Sequence, residues 1–177
     1  MLKAVRLAEA VGEEGKPAFL FALAGLSTGA KAAGDFLTAF QTGEQLVQLY
    51  RKSAPPLYIG MGLLSQGEIS LQLGKYAIAR EYLSEGLTLA QDSGDMYRVA
   101  WALNFLGDLA RLEGNYTEAG SRHEQSERLY RELNARHELA SPLCNRVFFF
   151  LHQREAERAQ TLFSESLDFH QEQQNRR

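Results

Sequence analysis

The chain repeats itself at a spacing of forty residues. The segment GKYAIA at positions 74–79 recurs as GNYTEA at positions 114–119, with a glycine, a tyrosine and an alanine in register. The same columns hold Gly34, Phe36 and Ala39 one step earlier and Ala159 one step later. A fixed period of this length predicts stacked copies of one structural unit, each of which buries its apolar face against the next.

Two apolar columns carry the period through four copies. One column contains Leu23, Leu63, Leu103 and Leu143, and the other contains Leu49, Leu89, Leu129 and Phe169. The fourth copy departs most from the pattern, because Arg154 and Ala156 replace its glycine and its aromatic residue. We expect a helix pair in this copy too, joined by a less tight turn.

Each copy has the pattern of two amphipathic helices. In residues 97–114, apolar side chains recur at intervals of three and four, and Gly114 ends the segment. Asn115 is a suitable N-cap for the next helix. No window alternates as a strand does, so the sequence predicts an all-α fold. The predicted helices span residues 2–11, 16–33, 35–51, 57–73, 76–92, 96–113, 116–134, 138–152 and 154–172.

These columns resemble those of tetratricopeptide repeats. One copy supplies Leu63, Gly67, Tyr76, Ala79 and Leu83, and the next supplies Leu103, Leu106, Gly107, Tyr116 and Ala119. The period exceeds the family's usual length of about 34 residues and lies nearer that of HEAT and armadillo repeats. The extra residues fall at the end of the second helix and in the link, which favours lengthened tetratricopeptide repeats. The resemblance implies a right-handed α-solenoid of antiparallel helix pairs.

Gly67 and Gly107 lie inside predicted helices. Glycine at such a position costs about 1 kcal/mol relative to alanine. A close approach of two helices would compensate for this cost, so we expect helix contacts at both glycines. We expect Ala79 and Ala119 on the opposite side of those contacts.

The repeat phase predicts a single tetratricopeptide-like solenoid over residues 1–177. Residues 1–15 form the second helix of an incomplete repeat, and the following repeats span 16–55, 56–95, 96–135 and 136–177. Neither end carries a clear polar capping helix, so we expect a fragment of a longer array. The copies and their links also resemble the C-terminal sensor arrays of large bacterial signalling ATPases and LuxR-type transcription regulators.

Charge and composition argue against several classes of protein. The net charge is −3 with acidic and basic residues interspersed, so we expect neither direct nucleic-acid binding nor membrane binding. No run approaches the roughly 18 apolar residues of a membrane span. The single cysteine, Cys144, fits a reducing compartment and predicts a cytoplasmic protein.

No motif predicts catalysis, a metal or a cofactor. The four histidines, His123, His137, His152 and His170, are scattered without metal-ligand spacing. Cys144 has no convergent base in the sequence pattern, and we interpret it as a semi-buried helix residue. We therefore expect no enzyme activity, no metal site and no cofactor.

The resemblance places the first helix of each pair along a concave groove. Transferring the family's groove columns selects Lys31, Met61, Glu68, Trp101, Asn104, Phe105, Asp108, Arg111, Asn145, Phe148 and His152. One helical stripe contains Trp101, Asn104, Asp108 and Arg111. Its aromatic anchor, amide and opposite charges suit the recognition of a peptide or helix. The alternative is that Trp101 belongs to the core and the charges form a surface pair.

Phe148, Phe149 and Phe150 cannot all face one core, because successive helical residues point about 100° apart. Phe150 falls in a core column and Phe148 in a groove column. Either a groove or a following repeat would cover the remaining aromatic surface.

Three function classes remain open. The first is a protein-interaction scaffold or regulatory array that binds a protein or peptide, within a larger bacterial signalling or transcription-regulatory protein. The second is a sensor for a small-molecule effector, which a compact aromatic pocket at Trp101 and Phe105 would favour. The third is an enzyme. We also expect weak self-association through exposed solenoid ends, either end to end or between identical ends about a two-fold axis. The residues concerned are Leu162, Phe163, Ser166, Leu167 and Phe169 at one end and Val5, Leu7 and Ala8 at the other.

Overall fold

The computed structural model describes residues 16–174, with side-chain surroundings for residues 17–52 and 54–171. Within this range the chain forms eight α-helices and no strand. They are α1 (Lys16–Ala32), α2 (Phe36–Ser53), α3 (Pro56–Gln72), α4 (Tyr76–Asp92), α5 (Met96–Leu112), α6 (Tyr116–Glu132), α7 (Ala140–His152) and α8 (Ala156–Gln174). Each helix end lies within two residues of its predicted position. The helix predicted at 2–11, with Val5, Leu7 and Ala8, lies outside the described residues.

Several helices begin at a side-chain cap. Asp35, Asp95 and Asn115 each accept a hydrogen bond from the backbone N–H three residues later, at 3.1–3.2 Å. This bond satisfies one of the N–H groups that a helix start leaves without a partner. The N-cap predicted at Asn115 is confirmed. Pro56 opens α3, where its missing N–H costs no hydrogen bond.

The turn inside each helix pair repeats in backbone detail. Gly34, Gly74, Gly114 and Arg154 have φ angles of 78°, 68°, 84° and 61°. At each, the N–H bonds the carbonyl three residues back at 3.0–3.1 Å, and the next N–H bonds the carbonyl five residues back at 2.8–2.9 Å. The fourth turn is as tight as the others, so the prediction of a looser turn was wrong. The same hydrogen bonds hold Arg154 in a conformation that favours glycine.

Exchanging the residues at two of these turns is expected to change stability in opposite directions. Left-handed backbone costs a residue with a Cβ about 1 kcal/mol or more. Arg154→Gly is therefore expected to raise the free energy of unfolding by about 0.5–1 kcal/mol, and Gly114→Arg to lower it by about 1 kcal/mol. Urea unfolding of both variants measures the difference. A neutral Gly114→Arg would mean that backbone conformation does not govern these turns.

The chain divides into two compact units between Leu89 and Ala90. In the first unit, α1 packs on α2 and α2 packs on α3. Its core contains Leu23, Val47, Leu63, Leu64, Ile69 and Leu83, all nearly inaccessible to solvent. In the second unit, α5, α6, α7 and α8 pack consecutively, and α5 also contacts α7. Its fully buried side chains include Leu109, Leu143 and His123.

Helix α7 is shorter than the other first helices because of Pro142. A helix that began at residue 136, the repeat equivalent of Met96, would need the N–H of residue 142 to bond the carbonyl of residue 138. Proline has no N–H and its ring clashes with that carbonyl. Residues 136–139 form turns instead, and α7 begins at Ala140.

The helix contacts at the glycines differ from the expectation in their partners. A Cβ on Gly67 would lie 2.5 Å from Leu83 Cδ2, and a Cβ on Gly107 would lie 2.6 Å from His123 Cε1. The close approaches are therefore real, but Leu83 and His123 oppose the glycines rather than Ala79 and Ala119. Both alanines are buried all the same. The column that contains Leu83 and His123 carries the longer side chains that fill the space each glycine leaves.

Candidate functional site

An aromatic pocket lies on the second unit, on the surface where α5 and α7 are neighbours. Its volume is about 250 Å³, and it is lined by Tyr97, Trp101, Asn104, Phe105, Tyr130, Glu138 and Ser141. The rings of Trp101 and Phe105 lie one helical turn apart, 6.2 Å between centroids. The rings of Tyr97 and Tyr130 meet edge to face at 5.6 Å. We call this site the aromatic pocket.

The size of the residue at position 141 helps to open the pocket. Ser141 is the repeat equivalent of Met61 and Trp101, which are large side chains. Because α7 presents a small hydroxyl there, the space beside the Trp101 ring stays unfilled. The Ser141 hydroxyl accepts a hydrogen bond from Asn104 Nδ2 at 3.1 Å. This bond fixes the amide at the pocket wall.

His123 holds the other end of the Asn104 amide. Its Nδ1 lies 3.1 Å from Asn104 Oδ1, and since Nδ2 already donates to Ser141, the proton belongs on Nδ1. The imidazole is wholly buried. Burial, together with the positive charges of Arg111 and Arg146, lowers the pKa of His123 to about 3. The ring is therefore neutral at physiological pH and acts as a hydrogen-bond donor to the pocket amide.

A second polar group lies next to His123. Asp108 Oδ1 is 3.8 Å from His123 Nε2 and 3.5 Å from an Arg111 nitrogen. Burial raises the pKa of Asp108 to about 6, although Arg111 and a hydrogen bond from Asn145 oppose the rise. Because His123 is neutral, the 3.8 Å separation is not an ion pair at neutral pH. Through this hydrogen bond, Asn145 of α7 contacts Asp108 of α5.

Arg111 and Phe148 extend this surface along the same two helices. The Arg111 guanidinium lies over the Phe148 ring, 4.8 Å from its centroid, and Phe148 is 44% exposed. The three consecutive phenylalanines separate as their directions require. Phe150 is buried, and Phe149 packs against α6, where a Cβ on Gly120 would lie 2.6 Å from its Cγ. The surplus aromatic surface is therefore divided among the core, a neighbouring helix and the α5–α7 surface.

The remaining predicted groove residues are not among those that line the aromatic pocket. Glu68 belongs to the first unit, where it pairs with Lys31 at 2.9 Å. Met61 is exposed on α3. His152 stacks on the Tyr116 ring at 4.4 Å. Trp101 is half-buried, so neither the simple core interpretation nor a fully exposed anchor describes it.

Sequence reasoning missed four pocket residues, namely Tyr97, Tyr130, Glu138 and Ser141. Tyr97 could have been found, because it lies four residues before Trp101 on the same stripe. Ser141 could have been found as the repeat equivalent of Trp101. Tyr130 and Glu138 come from α6 and from the turn before α7, and their approach to α5 depends on packing that no local pattern indicates.

The last helix exposes part of the apolar stripe predicted for it. Phe163 and Leu167 are 48% and 42% exposed. Ser166 is buried instead and donates to the Ala140 carbonyl at 2.9 Å, as Ser126 donates to the Ala100 carbonyl at 2.7 Å. Arg136 covers the Phe169 ring at 5.5 Å. The exposed stripe is therefore narrower than predicted.

Neither a metal site nor a membrane span is present in the part of the chain that the structure describes. No group of three or more histidine, cysteine, aspartate or glutamate side chains converges there. No helix in residues 16–174 is both long and apolar enough to cross a bilayer. Cys144 is a half-buried free thiol on α7, as interpreted from the sequence.

Comparisons with known proteins agree with this architecture. Residues 59–132 match the family model described as tetratricopeptide repeat. The crystal structure of BtubC (BKLC) from P. vanneervenii is similar over 96% of this chain and 70% of that chain, with a TM-score of 0.75 and 16% sequence identity. At that identity the likeness shows the fold alone. No curated protein matches the sequence. The chain is therefore similar to tetratricopeptide repeats over residues 59–132, and it has an all-α helical-repeat fold.

Proposed function

We propose that the second unit binds a peptide or a helix of a partner protein along the surface of α5 and α7, with one partner side chain in the aromatic pocket. Tetratricopeptide repeats generally mediate protein–protein interaction, and the family is typically not enzymatic. The observation that carries the proposal is the combination of the open aromatic pocket with the fixed Asn104 amide beside it. Aromatic anchor sites of this kind dominate the energy of many interfaces.

The size of the pocket favours a single side chain over a whole small molecule. Pockets for drug-sized ligands usually measure about 300–1,000 Å³ and enclose most of the ligand. At about 250 Å³, the aromatic pocket lies below that range. A peptide can place one side chain there and continue along α5 towards Arg111 and Phe148. The pocket alone therefore fits an anchor residue best.

A small-molecule effector is the second candidate function. The compact aromatic pocket at Trp101 and Phe105 is the feature that favours it. An effector that fits must be compact, since the pocket volume of about 250 Å³ lies below the usual range for drug-sized ligands. Binding of such a molecule would compete with the peptide for the same rings.

The parent of this array is proposed from the resemblance of its links and repeat length. We propose that the chain acts within a larger bacterial signalling or transcription-regulatory protein in the cytoplasm. In that setting, occupancy of the α5–α7 surface would report the presence of a partner to the other domains. The exposed Phe163 and Leu167 of α8 are the proposed sites of weak self-association.

Removing an aromatic wall of the pocket is expected to weaken peptide binding about tenfold or more. The probe is a peptide selected from a random library displayed on phage. Trp101 is the chain's single tryptophan, so its fluorescence reports binding at the pocket. Phe105→Ala should raise the Kd of the selected peptide by that factor, because truncating a buried anchor contact typically costs more than 1 kcal/mol.

Phe163→Ala is the matched control, because Phe163 is an exposed phenylalanine on α8. It is expected to leave the Kd unchanged. Equal binding by wild type and Phe105→Ala, or a peptide that leaves the Trp101 emission unchanged, would place the binding site elsewhere.

A further inference from the structure

We propose that the aromatic pocket accepts a positively charged side chain, an arginine or a lysine of the partner peptide, between its rings and the Glu138 carboxylate. This inference rests on the proposed function and specifies the chemistry of the anchor residue. Three observations support it: the aromatic residues of the pocket wall, the position of Glu138, and the absence of a cation over the four pocket rings within the described range.

Four aromatic rings, those of Tyr97, Trp101, Phe105 and Tyr130, line the pocket. The face of each ring carries partial negative charge, which attracts an ammonium or guanidinium group within about 6 Å of the ring centre. Tryptophan is the strongest of the aromatic residues in this interaction. A pocket with several such rings can therefore replace part of the water that a cation loses when it enters.

A carboxylate stands at the same pocket. Glu138 accepts a hydrogen bond from the Tyr97 hydroxyl at 2.6 Å, which fixes the carboxylate beside the rings. A neutral, apolar anchor residue would gain nothing from this negative charge and would partly desolvate it. A cationic anchor is attracted by it.

Cations lie over four of the chain's other aromatic rings. Lys75 lies over Phe40, Arg111 over Phe148, Arg136 over Phe169, and both Arg146 and Arg158 lie over Phe150. In the described range, none of the four pocket rings has such a cover. A cation from a second molecule can therefore lie over the rings of the aromatic pocket.

Pairs of short peptides test the charge directly. The probes are acetyl-Gly-Arg-Gly amide, its citrulline analogue, which is neutral and nearly isosteric, and the trimethyllysine peptide. Binding is followed by Trp101 fluorescence and by the NMR shift of the Trp101 indole N–H. The arginine peptide is expected to bind about 5- to 30-fold more tightly than the citrulline peptide. The trimethyllysine peptide shows whether a guanidinium plane or a positive charge alone is required.

Charge-neutral variants complete the test. Glu138→Gln is expected to remove most of the preference for arginine over citrulline. Glu132→Gln makes the same change in net charge at an exposed site on α6 and is expected to keep that preference. Circular dichroism of each variant confirms that the helices are intact.

The outcomes separate this inference from the proposed function. Equal or tighter binding of the citrulline peptide, an unchanged preference in Glu138→Gln, or no detectable binding of any cationic peptide would overturn the cationic anchor. Library-selected peptides that bind through Phe105 with a neutral anchor would overturn it as well, while leaving the proposed function in place. If neither the cationic peptides nor the library-selected peptides bind at the aromatic pocket, both the cationic anchor and the proposed function are overturned.

Discussion

Gly107→Leu is expected to lower the free energy of unfolding by about 3 kcal/mol or more, at the upper end of what overpacking a helix contact usually costs. The reason is the imidazole of His123, because a Cβ atom on residue 107 would lie only 2.6 Å from His123 Cε1. His123 cannot swing away, because it is fully buried and hydrogen-bonded to Asn104. The two helices must therefore separate.

Thermal unfolding measures this effect. For a chain of this size, about 3 kcal/mol corresponds to a fall in Tm of about 6–12 °C. Ser121→Leu places the same side chain on the exposed face of α6 and is expected to change Tm little. A similar Tm for the two variants would contradict the packing role of the glycine column.

His123→Leu is expected to stabilise the protein in acid relative to the wild type. The folded state holds the pKa of His123 at about 3, far below its ordinary value of 6.5. Between these values the unfolded chain binds a proton that the folded chain excludes, so the wild type loses stability as pH falls. At one pKa unit per 1.36 kcal/mol, the loss reaches about 3 kcal/mol at pH 4. The leucine variant, which copies Leu83 of the preceding repeat, lacks this loss.

Asp108→Asn is expected to show the opposite dependence on pH. The folded state raises the pKa of Asp108 from 3.8 to about 6. The carboxylate therefore destabilises the folded chain at neutral pH, and this penalty disappears as pH falls through 6 towards 3.8. Relative to the wild type, the asparagine variant should lose about 2 kcal/mol between pH 7 and pH 4.

In the wild type, the stability lost through His123 and the stability gained through Asp108 offset each other as pH falls from about 6 to 4. Urea unfolding of the three proteins at pH 7, 5.5 and 4 separates them. Parallel stability curves for the wild type and His123→Leu would contradict a buried neutral imidazole. The comparison uses differences between pH values within each variant, so any constant cost of leaving Asn104 Oδ1 without a partner cancels.

The repeat period predicted the helices because it acts through local rules. Gly114 and Asn115 end one helix and begin the next through backbone conformation and capping, which a short segment determines by itself. The Leu23 column predicted buried positions correctly for the same reason, since an apolar stripe must face a neighbour. Arg154 shows where the local rule fails. There the helices on either side hold an arginine in a left-handed backbone conformation that arginine does not favour.

The aromatic pocket was only partly predictable. Trp101, Asn104 and Phe105 belong to one helix, and their shared stripe is visible in the sequence. Tyr130 and Glu138 reach the pocket through the packing of α6 and the turn at 136–139 against α5, which depends on Pro142 shortening α7. The contact between Gly107 and His123 was missed for a similar reason. The spacing of residues along the chain predicts that two helices meet at the glycine, but not which side chain of the second helix packs against it.

The most direct test of the proposed binding surface is a map of backbone amide shifts in the ¹⁵N-labelled chain on addition of a library-selected peptide. The largest shifts are expected from Tyr97 to Arg111 on α5 and from Glu138 to Phe148, in the turn before α7 and on α7 itself. The Trp101 indole N–H is expected to be among them. Shifts concentrated on the outward residues of α6 and α8, or in the first unit, would contradict the proposed binding surface.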